Sequence, residues 1–300
     1  MRSADVADAA ILGLALILAG HIQATDSLAD AINARILLDS GAVVAVSYRD
    51  LQSGESIDIA ADTEFHAAST MKIPVMIEVL KRAQAGAFGL DQEILLVNQF
   101  ASLADGSPFS LNAADDGDSV LYGRIGERVT IRELLRRMIT RSSNLATNQL
   151  IELVGAPNVT ETAHALGARH LSVLRGVEDQ KAFDKGMINT TTSADLATLL
   201  EAIEKGTVLS SSSSAEMREV LLAQEFNEKI PAGLPPGTKV AHKTGEITAV
   251  SHDAAVVYPP DRKPYVLVVL TKGIRDSKAS SALIANISRM IWNHATSSRR

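Results

Sequence analysis

The strand-like segments of this 300-residue chain stand near its two ends, with a long helical stretch between them. Near the start, "GAVVAVSYRD" (41–50) and "ESIDIA" (55–60) have the apolar, β-branched character of strands, and "LQSG" joins them through a turn that Gly54 permits. Beyond Pro236 three more follow, "TKVAHKTG", "HDAAVVYPP" and "PYVLVVLTK", the last two linked by the turn "PPDRK". The expected fold is therefore mixed α/β of the α+β kind. One antiparallel sheet is built from both chain ends and flanked by helices, with an all-helical lobe inserted between. The sheet lobe should comprise about 26–68 and 226–300 and the helical lobe about 69–225, leaving a cleft between them where a substrate could bind.

Helical periodicity supports this division. Leu28, Ile32, Ile36 and Leu37 fall near one face of a helix over 27–38. A helix from Ser69 through Gln84 is ended by Gly86 and Gly89. Pro74 fits it only if the first turn lies just before, because proline in a helix interior removes a hydrogen bond. Further helices are expected at 130–140, 143–154, 193–204, 214–224 and over "SKASSALIANISRMIWNHA" at the end, whereas 99–120, rich in Gly, Ser and Asp, reads as an extended surface loop.

Composition narrows the function. A net charge of −6 offers no general surface for nucleic acid. The absence of cysteine excludes a disulfide framework, a thiolate nucleophile and sulfur-ligated metal. The seven histidines show no ligand spacing, and His66 and His242 are assigned packing or supporting positions. Residues 11–20, "ILGLALILAG", have the length of a signal-peptide core and are too short to span a bilayer comfortably. Residues 1–25 are accordingly read as a signal peptide, 26–300 as the mature domain, and the chain as exported to the periplasm or secreted. A monomer without a stable membrane span is expected.

Three polar clusters carry the chemistry. Ser69 and Lys72, in "STMK", are three apart, so a helix places both on one face. A serine hydroxyl needs a base to become a nucleophile, and a lysine can serve once burial or neighbouring cations lower its pKa. "RSSN" holds Ser142 and Asn144, a hydroxyl that could relay a proton and an amide that could meet a substrate carbonyl. "HKTGE" holds Lys243, Thr244 and Gly245: a cationic, hydroxyl-bearing strand edge suited to a carboxylate, and a strand glycine that signals close approach of another backbone or a ligand. Taken singly, each has an ordinary explanation as a helix cap, a polar cap or a solvated turn.

Together, and in this order, the three match the S-x-x-K, S-D-N and K-T-G set. The chain resembles the class A β-lactamase family, within the penicillin-recognising serine hydrolase superfamily, over roughly 28–295. "MITRSSNLATNQLIE" is similar to the family's S-D-N helix and "HDAAVVYPPDRKPYVLVVLTKG" to its last hairpin. The resemblance implies acylation of Ser69, with Lys72 as base or relay and Ser142 protonating the departing nitrogen, assisted by Lys243. It implies that Asn144 holds the substrate amide, that Thr244 binds its carboxylate, and that the N–H groups of Ser69 and Glu246 form an oxyanion hole. No metal or organic cofactor is implied. The substrate would be a small molecule, a β-lactam or a peptidoglycan-like amide.

Three departures bear on the activity. The family's deacylating glutamate sits in E-x-x-L-N, and here Glu178 is the nearest match, on a shorter loop without the Leu-Asn. A loop carboxylate there could instead pair with Arg175 or Lys181. Ser143 replaces the aspartate of S-D-N. No obvious arginine partner for a substrate carboxylate stands in the sequence: Arg275, after the last strand, is only a candidate, and an exposed ion-pairing role suits it better. Phe109 or Tyr122 could line the cleft rim or simply pack. Two alternatives stay open beside β-lactam hydrolysis: a D,D-peptidase or esterase with the same Ser–Lys machinery, and a binding protein that retains the fold without catalysis.

Overall fold

Strands from the two ends of the chain meet in one five-stranded sheet. The computed structural model describes residues 27–39 and 41–297, so the expected signal peptide lies outside the described residues. The strands are β1 (Val43–Asp50), β2 (Ser56–Ile59), β3 (Lys239–Ile247), β4 (Val250–Tyr258) and β5 (Tyr265–Lys272). Their order is β2-β1-β5-β4-β3, and every neighbouring pair is antiparallel. β5 is the seam between the chain ends: its Val268 lies opposite Ser47 of β1 and Ala254 of β4.

The run "YVLVVLTK" is apolar almost throughout because both faces of β5 are covered. Tyr265, Leu267 and Val269 point to one face, where they share a core with Ile32 of α1 (27–36) and with Ile284, Ile287 and Ile291 of α9 (Ser277–Ser297). Val266, Val268 and Leu270 point to the other, into a core with Leu196, Leu199 and Leu200 of α7 (Ser193–Lys205). Period-2 alternation thus splits one strand between two cores. Each buried Val or Leu contributes roughly 1.5–3 kcal/mol.

The segment at 69–84 is not one helix. Ala68–Met71 forms a 3-10 turn, and α2 (Lys72–Gln84) begins at the lysine. Pro74 lies in the first turn of α2, where an N–H has no intrahelical acceptor, so the proline breaks nothing. Helices α3 (Ile131–Thr140), α4 (Asn144–Val154), α7 and α8 (Ser211–Leu222) stand where periodicity puts them, α8 slightly earlier in the chain. Two elements lack a sequence signal. In α5 (Ala156–Ala165) the buried residues are Ala156, Val159, Thr162 and Ala163, too small and polar to mark an apolar stripe. The other, α6 (Gln180–Asp184), is a single short turn capped by Asp179.

Residues 99–120 are more ordered than their composition suggests. Phe100–Ala101 pairs with Pro108–Phe109 in a small hairpin, the two phenyl rings 5.8 Å apart, and two 3-10 turns follow. Phe109 and Tyr122 take the packing alternative: the Tyr122 hydroxyl donates to Asp116 at 3.0 Å. No helix among the described residues is long and apolar enough to cross a membrane.

Candidate active site

The three clusters converge where the free edge of β3 faces the 3-10 turn and the start of α4. A Cβ built on Gly245 would lie 3.0 Å from the Ser69 nitrogen and 3.1 Å from that of Thr70. The glycine therefore lets the strand edge approach the Ser69 turn, and a side chain there would push the two apart. Ser69 is half-buried. Two cavities meet at it. One, of about 420 Å³, is lined by His66, Asn144, Glu178, Phe183 and Glu246 among others. The second, of about 230 Å³, is lined by Ser142, Asn144, Lys229, Thr244 and Glu246 among others.

Lys72 is wholly buried, and its amine donates to the Ser142 carbonyl at 2.7 Å, the Ser142 Oγ at 3.1 Å and the Asn144 Oδ1 at 2.8 Å. Burial pulls its pKa down to about 7, against the opposing attraction of Asp116 and Glu178 for the charged form. Lys243 reaches the same hydroxyl from the opposite wall, donating to Ser142 Oγ at 3.0 Å and to the Thr244 carbonyl at 2.7 Å. It too is fully buried, and its pKa falls well below that of an ordinary lysine, first through desolvation and then through the charges of Lys72 and Lys229. With both acceptor positions of Ser142 Oγ taken by amines, its own proton is left to donate elsewhere.

Glu178 joins this network through Asn144, whose Nδ2 donates to the Glu178 carboxylate while its Oδ1 accepts from Lys72. One amide thus spans ammonium and carboxylate, which fixes its orientation. Although Glu178 is exposed at its surface, partial desolvation by the surrounding cleft raises its pKa, partly countered by the Asn144 hydrogen bond. The pairing with Arg175 or Lys181 does not form. Arg175 donates to the carbonyls of Met187 and Gly176, and Lys181 pairs with Asp105.

The backbone is strained where these groups meet. Ala68, Ser142 and Glu178 have φ of 45°, 56° and 61°, a left-handed conformation unusual for residues with a side chain. Local hydrogen bonds hold each position. His66 Nδ1 accepts from the Ala68 N–H at 2.9 Å. Asp116 Oδ2 accepts from the N–H groups of Asn144 and Leu145, both at 2.9 Å, as a carboxylate at a helix N-terminus should. Asn148 brackets Val177, accepting from its N–H at 2.7 Å and donating to its carbonyl at 3.1 Å. On the far side Asp179 accepts from Ser102 Oγ and the Leu103 N–H, each at 2.8 Å. Glu178 is therefore clamped on both flanks.

Ser143, the variant middle position, is buried and caps α4 by accepting from the Ala146 N–H. His242 is buried against Asp253 at 3.0 Å. Arg275 lines a separate hollow with Ile247, Thr248 and Ile274 and is absent from the linings of both cavities at Ser69. The cation lining the Thr244 cavity is instead Lys229, whose amine meets Glu246 at 3.0 Å and the Gly245 carbonyl at 3.4 Å. The sequence carries no local signal for Lys229 or Asp116. Asn148 has one: it lies four residues after Asn144, hence on the same face of α4. Among the described residues no three His, Cys, Asp or Glu side chains gather as a metal-binding group.

Comparison with known proteins assigns the family and the fold. A family model described as the beta-lactamase enzyme family matches residues 27–295. Beta-lactamase AST-1 of Nocardia asteroides is 32% identical over 272 residues, covering 89% of this chain and 84% of its own. The crystal structure of a beta-lactamase from Sphaerobacter thermophilus is similar with a TM-score of 0.77 at 28% identity, covering 89% of this chain and 96% of that one. The structure of PBP-A is similar with a TM-score of 0.76 at 26% identity, covering 89% and 95%.

Proposed function

Since the chain belongs to the beta-lactamase enzyme family, we propose that it is a serine acyl-transfer hydrolase that opens the amide bond of β-lactams through an acyl-enzyme on Ser69. The observation that carries this reading is the meeting of Lys72 and Lys243 on one hydroxyl, Ser142 Oγ, beside a half-buried Ser69.

Neutral Lys72, accessible because its pKa is near 7, takes the Ser69 proton as Oγ bonds to the lactam carbonyl carbon. The developing oxyanion sits against the N–H groups of Ser69 and Glu246, each worth about 3 kcal/mol in such a hole. As the C–N bond breaks, Ser142 hands its proton to the leaving nitrogen and is resupplied from the lysines. Thr244 holds the substrate carboxylate, and Asn144 its amide side chain. Glu178 then takes a proton from water attacking the acyl carbon; as the Oγ–C bond breaks, Lys72 gives Oγ a proton and is resupplied from Glu178, which regenerates Ser69 and the carboxylate. Export belongs to the same reading, on the apolar run at 11–20.

A second reading, a peptidase-like protein that acylates and releases slowly, is favoured by two departures in the sequence, the shortened Glu178 loop and Ser143, and PBP-A is structurally as similar as the β-lactamase. A point mutant of PBP-A is described as an acyl-enzyme complex with penicillin G. Nitrocefin turnover and intact-protein mass spectrometry after mixing with a penicillin separate the two. Rapid consumption with little adduct is expected, no adduct in Ser69→Ala, and a retained adduct in Glu178→Gln. A persistent adduct in the parent protein would favour the peptidase-like reading, and unchanged turnover in Glu178→Gln would remove that residue from deacylation.

A further inference from the structure

Glu246 follows the glycine of "KTG" on the edge strand of the sheet, where no further strand covers it. It borders both cavities at Ser69. Its side chain is 48% exposed, whereas that of its partner Lys229 is only 4% exposed. The two differ in freedom as a result: the buried ammonium stays, and the carboxylate can swing. Among the described residues lining the smaller cavity, Lys229 is the one cation, and Asp115, Glu228 and Glu246 are acids. A ligand carboxylate entering beside Thr244 therefore meets an ammonium already paired at 3.0 Å, with two further carboxylates nearby.

Resting on the acyl-transfer reading above, we infer that the Lys229–Glu246 pair is a charge gate that sets substrate selectivity, with Glu246 as the discriminating residue. An anionic group docking at Thr244 displaces Glu246 from Lys229. The released carboxylate then faces the larger cavity, whose lining also includes Glu178. A substrate that carries an ammonium on its acyl side chain supplies a new partner for that carboxylate. One carrying a second carboxylate there meets repulsion instead. Selectivity thus comes from an unfavourable term built against one class as well as an attraction for the other.

The test uses two benzylpenicillins that differ at one side-chain carbon, bearing an ammonium or a carboxylate there. The parent protein should prefer the ammonium form in kcat/KM. Glu246→Gln, which keeps size and strand geometry, should shift the ratio about tenfold toward the carboxylate form, mainly through KM. In a Lys229→Met background, where Glu246 is unpaired before any substrate docks, the same Glu246→Gln change should shift the ratio by at least as much, and a shift that vanishes there overturns the gate. The same ligands are also titrated against Ser69→Ala, so that the Kd ratio is read without turnover. An unaltered Kd ratio on adding Glu246→Gln overturns the gate. A shifted Kd ratio in a parent protein that forms no acyl adduct supports the gate and overturns the acyl-transfer reading instead.

Discussion

The two walls of the cleft are built differently. On one wall Lys72, Ser142 and Lys243 come from the first turn of α2, the residues ahead of α4 and the strand β3, and both lysines are fully buried. On the other, Glu178 is an exposed residue on an irregular segment, held by side-chain bonds from Asn148 and Asp179 on its flanks. Groups on packed elements keep their geometry because moving them disturbs a core. A loop group keeps its geometry only while its few tethers last. The proposed acylation machinery should therefore be robust and the proposed deacylation machinery fragile.

The largest expected effect tests the rigid wall. Lys72→Met should slow acylation by roughly 10²–10⁴-fold, the range for loss of a general base, as measured by stopped-flow adduct formation. Acylation within a few-fold of the parent would show that another group takes the Ser69 proton. The tether comes next. Asn148→Ala leaves every residue of the acylation wall in place but frees Val177, and a 1 Å shift of Glu178 costs about a hundredfold. The expected result is acylation near the parent rate with decay of the adduct slowed by about that factor. Equal slowing of both steps would erase the contrast between the walls. The smallest effect is on pH dependence. Because desolvation depresses the Lys72 pKa to about 7, the neutral base is lost as pH falls, and acylation should drop by about tenfold per pH unit below that midpoint. A flat profile through it would remove Lys72 from the base role.

The same desolvation sets the sign of its contribution to stability. The folded state binds fewer protons at Lys72 than the unfolded chain between about 7 and the ordinary lysine value of 10.5. Its burial penalty is therefore fully present below the lower value and relieved as pH rises through the window.

How far the residues alone reach is clearest in Gly245 and Glu178. Glycine in a strand has an entropic cost, and close backbone approach explains its presence; the Ser69 turn supplies that approach. Glu178 could be read equally as a surface ion pair, and only the fold shows that Arg175 and Lys181 are engaged elsewhere while the carboxylate meets Asn144. The start of the helix at 69 was legible only in outline, because a 3-10 turn and the first turn of an α-helix share the i,i+3 relation between Ser69 and Lys72.

By itself the amino-acid order determined the strands at the two ends, the helical insertion and the three polar clusters, since each follows from periods of 2 and 3.6 or from contiguous residues. Tertiary structure alone decided which cation lines the Thr244 cavity, what tethers the Glu178 loop and what depresses the two lysines. Those are contacts between residues far apart in the chain, such as Lys243 with Ser142 or Asn148 with Val177. Desolvation likewise has no local signature, because burial arises only when the sheet closes against the helical lobe.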